Sequence, residues 1–375
     1  MQERKKRVLF LYASLDSGHQ KAAQAIEEAF LSRPHLDVET MDIEALKFSY
    51  PNLGKLIHRV YMIMVTNMSR FYDFLWDNAT IEKRIRKLKS IMNEKRLKKF
   101  EELFFNFKAQ VAVCTQALPC GFLATLKRKK GFSFKLIAVI TDYDVHAYWI
   151  YDEVDVYCVA TVKCKEKLIQ KGVPKEKVKI TGIPISPHFT KREEKKKLRE
   201  RWNISQKTPC ALIMGGSYGV GPMLKIIKHI TKLDTDFSIA VITGKNAKLY
   251  KKLEEKKRKI KREIKLFTYI QNVNQLMQLS DILITKPGGL TISEALCMGL
   301  PMIVTRGVRG QESENFRYLL EKGAALSAEK PQDVAERLDE LLREEKQLKI
   351  MRENALRAAK PKAAWDISQV IENFL

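Results

Sequence analysis

The chain has 375 residues, too many for one ordinary hydrophobic core, and length alone favours two domains of roughly under 200 residues each. With 45% apolar and 30% charged residues it has the composition of a soluble globular protein, which excludes the disordered, fibrous and polytopic membrane classes. An excess of 68 Lys and Arg over 44 Asp and Glu, a net +24, directs attention to anionic partners: nucleic acid, an anionic membrane or a nucleotide substrate.

No apolar run approaches the roughly 18 residues a spanning helix requires, so membrane contact is expected to be peripheral. The basic start with Lys5, Lys6 and Arg7 precedes an apolar run too short for a leader, and Val8 to Ala13 reads as a buried first strand. A helix follows, with Ala22, Ala23, Ile26, Ala29 and Phe30 at helical spacing. Apolar runs at Val111 to Cys114, Leu136 to Ile140 and Val154 to Val159 continue a βα alternation that predicts a parallel sheet buried on both faces.

Between about 48 and 105 the alternation is interrupted by a helical insertion. Its first part is rich in aromatic and aliphatic residues, among them Tyr61, Phe71, Tyr72, Phe74 and Trp76, and its second in basic ones, among them Lys83, Arg84, Arg86 and Lys87. Apolar and aromatic residues followed by positive charge suit shallow insertion at an anionic lipid interface; the alternative is a helical pair packed on the core.

Gly182 to Pro187 punctuates the chain, and a charged helix from Lys191 to Trp202 leads to a fresh strand at Cys210 to Met214. Further strands are expected at Ile239 to Thr243, Ile264 to Tyr269, Ile282 to Thr285 and Met302 to Val304. The chain thus divides into residues 1–186, residues 187–360 and a closing helix, 361–375, whose Trp365, Ile367, Val370, Ile371 and Phe374 form one apolar stripe. The fold class is α/β, with two Rossmann-like halves and the last helix crossing back to the first. None of the six cysteines shows CxxC spacing, so reduced structural thiols and a cytosolic setting are expected.

Two glycine turns carry the chemistry of the second half. Gly215, Gly216, Ser217, Gly219 and Gly221 follow a strand and lead to a helix, where backbone N–H groups can approach phosphate oxygens; the spacing is not that of a dinucleotide fingerprint. Lys286-Pro287-Gly288-Gly289, followed by Thr291 and Glu294, is a second strand, turn and helix start, suited to a diphosphate and a ribose. The alternative is that Thr291 or Ser293 caps the helix. Gln311, Glu312 and Asn315 offer amides and carboxylates for sugar hydroxyls, or plain surface polarity.

In the first half, Asp16-Ser17-Gly18-His19 lies where open α/β sheets bind ligands, and an imidazole there can take a proton from an attacking hydroxyl. Asp142-Tyr143-Asp144 has the outline of a metal-binding DxD, but the two glycine turns already supply charge neutralisation and no further ligand cluster completes a site. No metal or cofactor is expected. Asp142 reads as a group that orients a catalytic group or the domain cleft, with His146 and Trp149 bordering the acceptor.

Taken together in order and spacing, these residues resemble the glycosyltransferases that include monogalactosyldiacylglycerol synthases and processive diacylglycerol glucosyltransferases. More distantly they resemble the peptidoglycan N-acetylglucosaminyltransferase. The resemblance spans nearly the whole chain. It rests on Ser17-Gly18-His19 with Ala22-Ala23, Thr141-Asp142 with His146 and Trp149, and Asp155-Val156-Tyr157. In the later chain it rests on Gly182-Ile183-Pro184, Met214 to Ser217, Lys286 to Gly289 with Thr291 and Glu294, and Gly310-Gln311-Glu312 with Asn315.

The resemblance implies a GT-B architecture of two facing Rossmann-like domains, with acceptor and membrane assigned to the first and donor to the second. It implies metal-independent, inverting transfer of glucose or galactose from UDP-glucose or UDP-galactose to the 3-hydroxyl of diacylglycerol, at the inner face of the cell membrane. His19 is the implied base, with Gly18, His146 and Trp149 at the acceptor, Glu294 at the uridine ribose, and Gln311, Glu312 and Asn315 at the sugar. The family's Gly-x-Gly-His opening reads Asp16-Ser17-Gly18-His19 here, so Asp16 is a second candidate for the base. Retaining relatives carry glutamates eight positions apart, and Lys286 stands eight before Glu294, which favours inversion. Transfer of N-acetylglucosamine to a polyprenyl-linked sugar is the alternative enzyme reading. Nucleic-acid binding is disfavoured because acidic residues such as Glu193, Glu194, Glu254 and Glu255 interrupt the basic helices.

Overall fold

The computed structural model describes residues 5–13, 17–34, 37–49, 94–305 and 312–375, with the side chains of 94–96 left undescribed. The chain forms two compact units, one running to Pro187 and taking back Lys362–Leu375, the other His188–Pro361.

The first unit is built on β1 (Lys6–Tyr12), β2 (Val38–Glu44), β3 (Val111–Cys114), β4 (Lys135–Val139), β5 (Val156–Val159) and β6 (Val178–Ile180), in the spatial order β2-β1-β3-β4-β5-β6. All pairs are parallel. The all-apolar runs are the central strands: Val8 to Leu11 and Val111 to Cys114 are fully buried, as a sheet covered on both faces requires. The chain leaves β1 for β2 on one side and returns to β3 on the other, so the switch point opens at the carboxyl ends of β1 and β3.

The second unit repeats the plan with β7 (Cys210–Met214), β8 (Ser238–Ile242), β9 (Ile264–Phe267), β10 (Ile282–Thr285), β11 (Met302–Thr305) and β12 (Ala325–Ala328), ordered β12-β11-β10-β7-β8-β9. Its switch point lies between β7 and β10. The closing helix spans Ala363–Glu372 and packs on the Gly18–Leu31 helix, with Ile367 and Ile371 wholly buried beside Ile26 and Phe30. Arg33 ties it down by donating to Gln369 Oε1 (2.9 Å) and the Trp365 carbonyl (3.2 Å) and pairing with Glu372.

Each sheet is fastened in the same way at the amino ends of its strands. In the second, Asp281 donates its N–H to the Cys210 carbonyl at 2.9 Å, and its carboxylate accepts the Cys210 N–H at 2.8 Å. In the first, Asp155 does the same with Leu136 at 2.9 and 2.8 Å. Arg199 (2.7 Å) and Lys195 (2.5 Å) hold Asp281; Lys127 (2.6 Å) and Lys135 (3.3 Å) hold Asp155. Burial pushes the Asp155 carboxyl up, but the Lys127, Leu136 and Lys135 hydrogen bonds more than offset this and hold it below the usual range. Asp155-Val156-Tyr157 therefore fastens the sheet at the end opposite the switch point.

Arg199 is buried and also donates to the carbonyls of Leu279, Ser205 and Thr208. Its removal leaves those acceptors and Asp281 short of a donor, so Arg199→Ala is expected to destabilise the second unit by about 3 to 5 kcal/mol, read as an earlier urea midpoint.

Among the described residues, three strands lie outside the expected set: β2, β6 and β12, all sheet edges. The six cysteines are all buried and none is in a disulfide. Of the expected insertion, the described carboxyl-terminal part is the Glu94–Phe107 helix. Tyr61, Phe71, Tyr72, Phe74, Trp76, Lys83, Arg84, Arg86 and Lys87 lie outside the described residues. Among the described residues, no helix is long and apolar enough to cross a membrane.

Candidate active site

In the first unit the site is built where β1 gives way to its helix. Ser17 is the N-cap, its Oγ accepting the Gln20 N–H at 3.2 Å, which places Gly18 and His19 in the first turn. Thr115, the residue after β3, clamps His19 from two sides. Its carbonyl lies 2.9 Å from His19 Nδ1, and its hydroxyl donates to the His19 carbonyl at 2.8 Å. Thr141, two residues beyond β4, sets its Oγ1 2.9 Å from the same Nδ1.

A carbonyl can only accept, so Nδ1 carries the hydrogen, and in the neutral ring Nε2 keeps its lone pair. Burial lowers the His19 pKa below its ordinary value of 6.5, against the opposing field of Asp142 and the hydrogen bond to Thr115. The positive end of the helix acts in the same direction as burial. The result is an imidazole kept neutral in one tautomer, with a carboxylate nearby to favour the imidazolium that proton abstraction produces.

Asp142 and Asp144 do not act as a pair. Asp142 acts on His19, while Asp144 is engaged by Lys167 at 2.5 Å. His146 starts the short Ala147–Trp149 turn, accepting the Tyr148 N–H at 3.3 Å and stacking on the Tyr148 ring at 4.1 Å. Trp149 is buried, whereas His146 keeps part of its surface exposed. Asp16 lies outside the described residues.

In the second unit, the turn after β7 and the turn after β10 meet at the switch point. Val220 N–H donates to Gly215 O (2.9 Å) and Gly219 N–H to Gly216 O (3.0 Å), folding the loop back on itself. A Cβ on Gly215 would lie 2.4 Å from Val220 O, so only glycine permits this closure. Gly219, at φ +57°, packs against the chain after β8, where a Cβ would meet Thr243 O at 2.2 Å. Ser217 accepts the Lys245 N–H at 2.8 Å, locking the two loops together.

From the β10 side, Gly288 is the N-cap of the Gly289–Met298 helix and brings no side chain to it. The capping alternative is thereby corrected: Thr291 lies within the first turn, and Ser293 Oγ donates backwards to Gly289 O at 2.7 Å. Glu294 is buried one turn on. Asn315, wholly buried, donates to Pro287 O at 3.1 Å and so holds the Lys286-Pro287-Gly288-Gly289 turn in place.

Lys286 enters the space between the turns. Its Cε is 3.6 Å from where a side chain on Gly216 would begin, its Nζ 3.4 Å from the same point on Gly288, and its ammonium pairs with Glu312. Backbone amides, a helix start and one ammonium therefore converge at one crevice, a combination suited to a diphosphate. Gln311 lies outside the described residues.

Thr115 was not legible as a site residue. Its only signal is its place directly after an apolar strand, where the carboxyl end of a parallel sheet presents ligand-facing groups.

This geometry agrees with what known proteins share with the chain. The family model of monogalactosyldiacylglycerol (MGDG) synthase matches residues 19–185, and that of the glycosyltransferase family 28 C-terminal domain matches 210–367. The chain is 30% identical over 353 residues to the processive diacylglycerol beta-glucosyltransferase of Bacillus pumilus, covering 93% of this chain and 90% of the relative. It is 30% identical over 367 residues to the enzyme of the same name from Bacillus cytotoxicus, covering 97% and 93%. The crystal structure of Acinetobacter baumannii MurG shares the fold, with a TM-score of 0.64 at 15% identity and coverage of 98% of this chain and 99% of that one. Two parallel six-stranded Rossmann-like sheets, the closing helix returned to the first unit and relatives matching almost end to end place this chain in the GT-B glycosyltransferase family of the MGDG synthases and processive diacylglycerol glucosyltransferases.

Proposed function

We propose that the protein transfers glucose or galactose from UDP-glucose or UDP-galactose to the 3-hydroxyl of diacylglycerol, with inversion, and that the glycolipid product can itself accept a further sugar. The observation that carries this reading is the crevice between β7 and β10, where the Gly215 to Gly221 turn, the amides that open the Gly289–Met298 helix and Lys286 meet. The relatives named for diacylglycerol support the lipid acceptor over a polyprenyl-linked sugar.

In the proposed reaction Nε2 of His19 takes the acceptor hydroxyl proton as that oxygen attacks the anomeric carbon. The bond from that carbon to the phosphate oxygen breaks, and UDP leaves with its charge received by amides and Lys286 rather than by a divalent ion. Asp142 stabilises the imidazolium as it forms. Glu294 is assigned to the uridine ribose, and Gln311, Glu312 and Asn315 to the hexose, with Asn315 also positioning the Pro287 turn. Gly18, His146 and Trp149 are assigned to the acceptor. The proposed base lies in the first unit and the proposed donor grip in the second.

Diacylglycerol presents its hydroxyl at headgroup level, and we assign the insertion at about 48–105, with its aromatic and basic residues, to peripheral attachment at the inner membrane face, with +24 favouring anionic lipid. Incubation with radiolabelled UDP-glucose or UDP-galactose and diacylglycerol in anionic vesicles is expected to move label into chloroform-soluble lipid. Label that stays in the aqueous phase with both donors rejects the reading.

A further inference from the structure

Among the described residues, four buried side-chain polar atoms have no hydrogen-bond partner: Ser49 Oγ, Glu153 Oε2, Arg262 Nε and Gln116 Oε1. Two of these belong to groups held through their other atoms. Glu153 Oε1 accepts from Arg128 at 3.1 Å, and Arg262 donates to the Phe237 and Leu233 carbonyls at 3.0 and 2.6 Å. Ser49 closes the short Ala45–Ser49 helix that follows the edge strand β2. Of the four, Gln116 stands at the switch point of the first sheet, directly after Thr115. The carbonyl that lies 2.9 Å from His19 Nδ1 belongs to the peptide group joining Thr115 to Gln116, so the two share one rigid plane. Gln116 is the extended N-cap of the Ala117–Lys130 helix, yet its side chain makes no capping bond, and the residue keeps part of its surface exposed. A buried amide oxygen without a donor is costly, and at this end of the sheet a ligand can supply one.

We infer that Gln116 recognises the sugar of a glycolipid acceptor and so favours the second transfer over the first. The inference rests on the lipid acceptor proposed above. Diacylglycerol carries one hydroxyl, whose proton goes to His19, and its ester oxygens only accept hydrogen bonds. It therefore brings no hydrogen to Gln116 Oε1. A hexosyl diacylglycerol brings several. One of its hydroxyls attacks the anomeric carbon of a new donor, passing its proton to His19 Nε2 as the bond to the UDP oxygen breaks, while another donates to Gln116 Oε1. The first transfer leaves the amide oxygen bare and the second satisfies it, and a site built to bond a substrate hydroxyl discriminates against the analogue that lacks it.

The test measures initial rates of the full-length protein with radiolabelled UDP-glucose and UDP-galactose on two acceptors in anionic vesicles, diacylglycerol and the matching monohexosyl diacylglycerol. Gln116→Met, which keeps the length of the side chain and removes its amide, is expected to lower kcat/KM for the glycolipid about 10-fold more than for diacylglycerol. Gln116→Glu, which keeps an accepting oxygen at the same reach, is expected to retain more of the glycolipid rate than Gln116→Met. Losses of equal size on the two acceptors, no loss on the glycolipid, or a Gln116→Glu variant as impaired on the glycolipid as Gln116→Met each overturn the inference. A parent protein that glycosylates diacylglycerol but not the glycolipid also overturns it and leaves the single transfer standing. A parent that labels neither lipid rejects the proposed reaction and the inference with it.

Discussion

His19→Ala is expected to lower turnover by about 100-fold or more while leaving UDP affinity close to that of the parent, because the imidazole acts on the acceptor proton and not on the nucleotide. The two readouts separate loss of a base from loss of the fold. Near-normal turnover would move the base to Asp16. The pH profile checks the same assignment from another side. Burial lowers the His19 pKa, so the neutral, proton-accepting ring persists below pH 6.5, and kcat/KM is expected to fall only on the acid side of that value. The sign for stability follows. Below 6.5 the unfolded chain binds a proton that the folded one resists, so this residue makes the protein less stable as pH falls through that range. Thr141→Val, which removes one of the two oxygens at Nδ1 but spares the Thr115 carbonyl, is expected to cost much less than loss of the ring.

Gly219→Ala is expected to weaken UDP binding by about 10- to 100-fold. The backbone there is left-handed, and the new methyl group would begin 2.2 Å from the Thr243 carbonyl oxygen, with Asn246 Cβ at 3.2 Å. Neither neighbour is free to retreat. Thr243 ends the β8 crossing, its N–H bonded to Phe267 O at 2.9 Å, and Asn246 caps the Ala247–Lys257 helix by accepting the Leu249 N–H at 2.9 Å. The loop must therefore move, and with it Gly216, which lies beside the Lys286 side chain. Calorimetry with UDP measures the loss, and an unchanged affinity would show that this loop does not grip the nucleotide.

The central strands could be read directly. Val111–Cys114, Cys210–Met214 and Ile282–Thr285 are apolar at every position except the closing Thr285, because both faces of each sheet are covered. Their starts and stops follow from the polar and glycine residues that flank them. The edge strands β2 and β6 gave no such signal. Val38–Glu44 carries Glu39, Asp42 and Glu44, and Val178–Ile180 is three residues long with two of them exposed, since an edge strand needs no continuous apolar face. Likewise the glycine turns and His19 were visible as residue types at the ends of strands, while Asp155 gave no hint that it fastens the opposite end of the sheet.

What the sequence determined by itself is local: which runs are buried, where glycine alone permits a tight turn, and which helix carries an apolar stripe along its length. Only the tertiary structure decided which tautomer His19 adopts, since the carbonyl and hydroxyl that face Nδ1 come from residues 96 and 122 positions away. It also decided that Asn315 braces Pro287, that Lys286 meets Glu312, and that Asp142 and Asp144 serve different partners. The reason is strand order. Side chains at the carboxyl ends of parallel strands meet according to which strands are neighbours, and the periodicity of a single chain carries no record of that order.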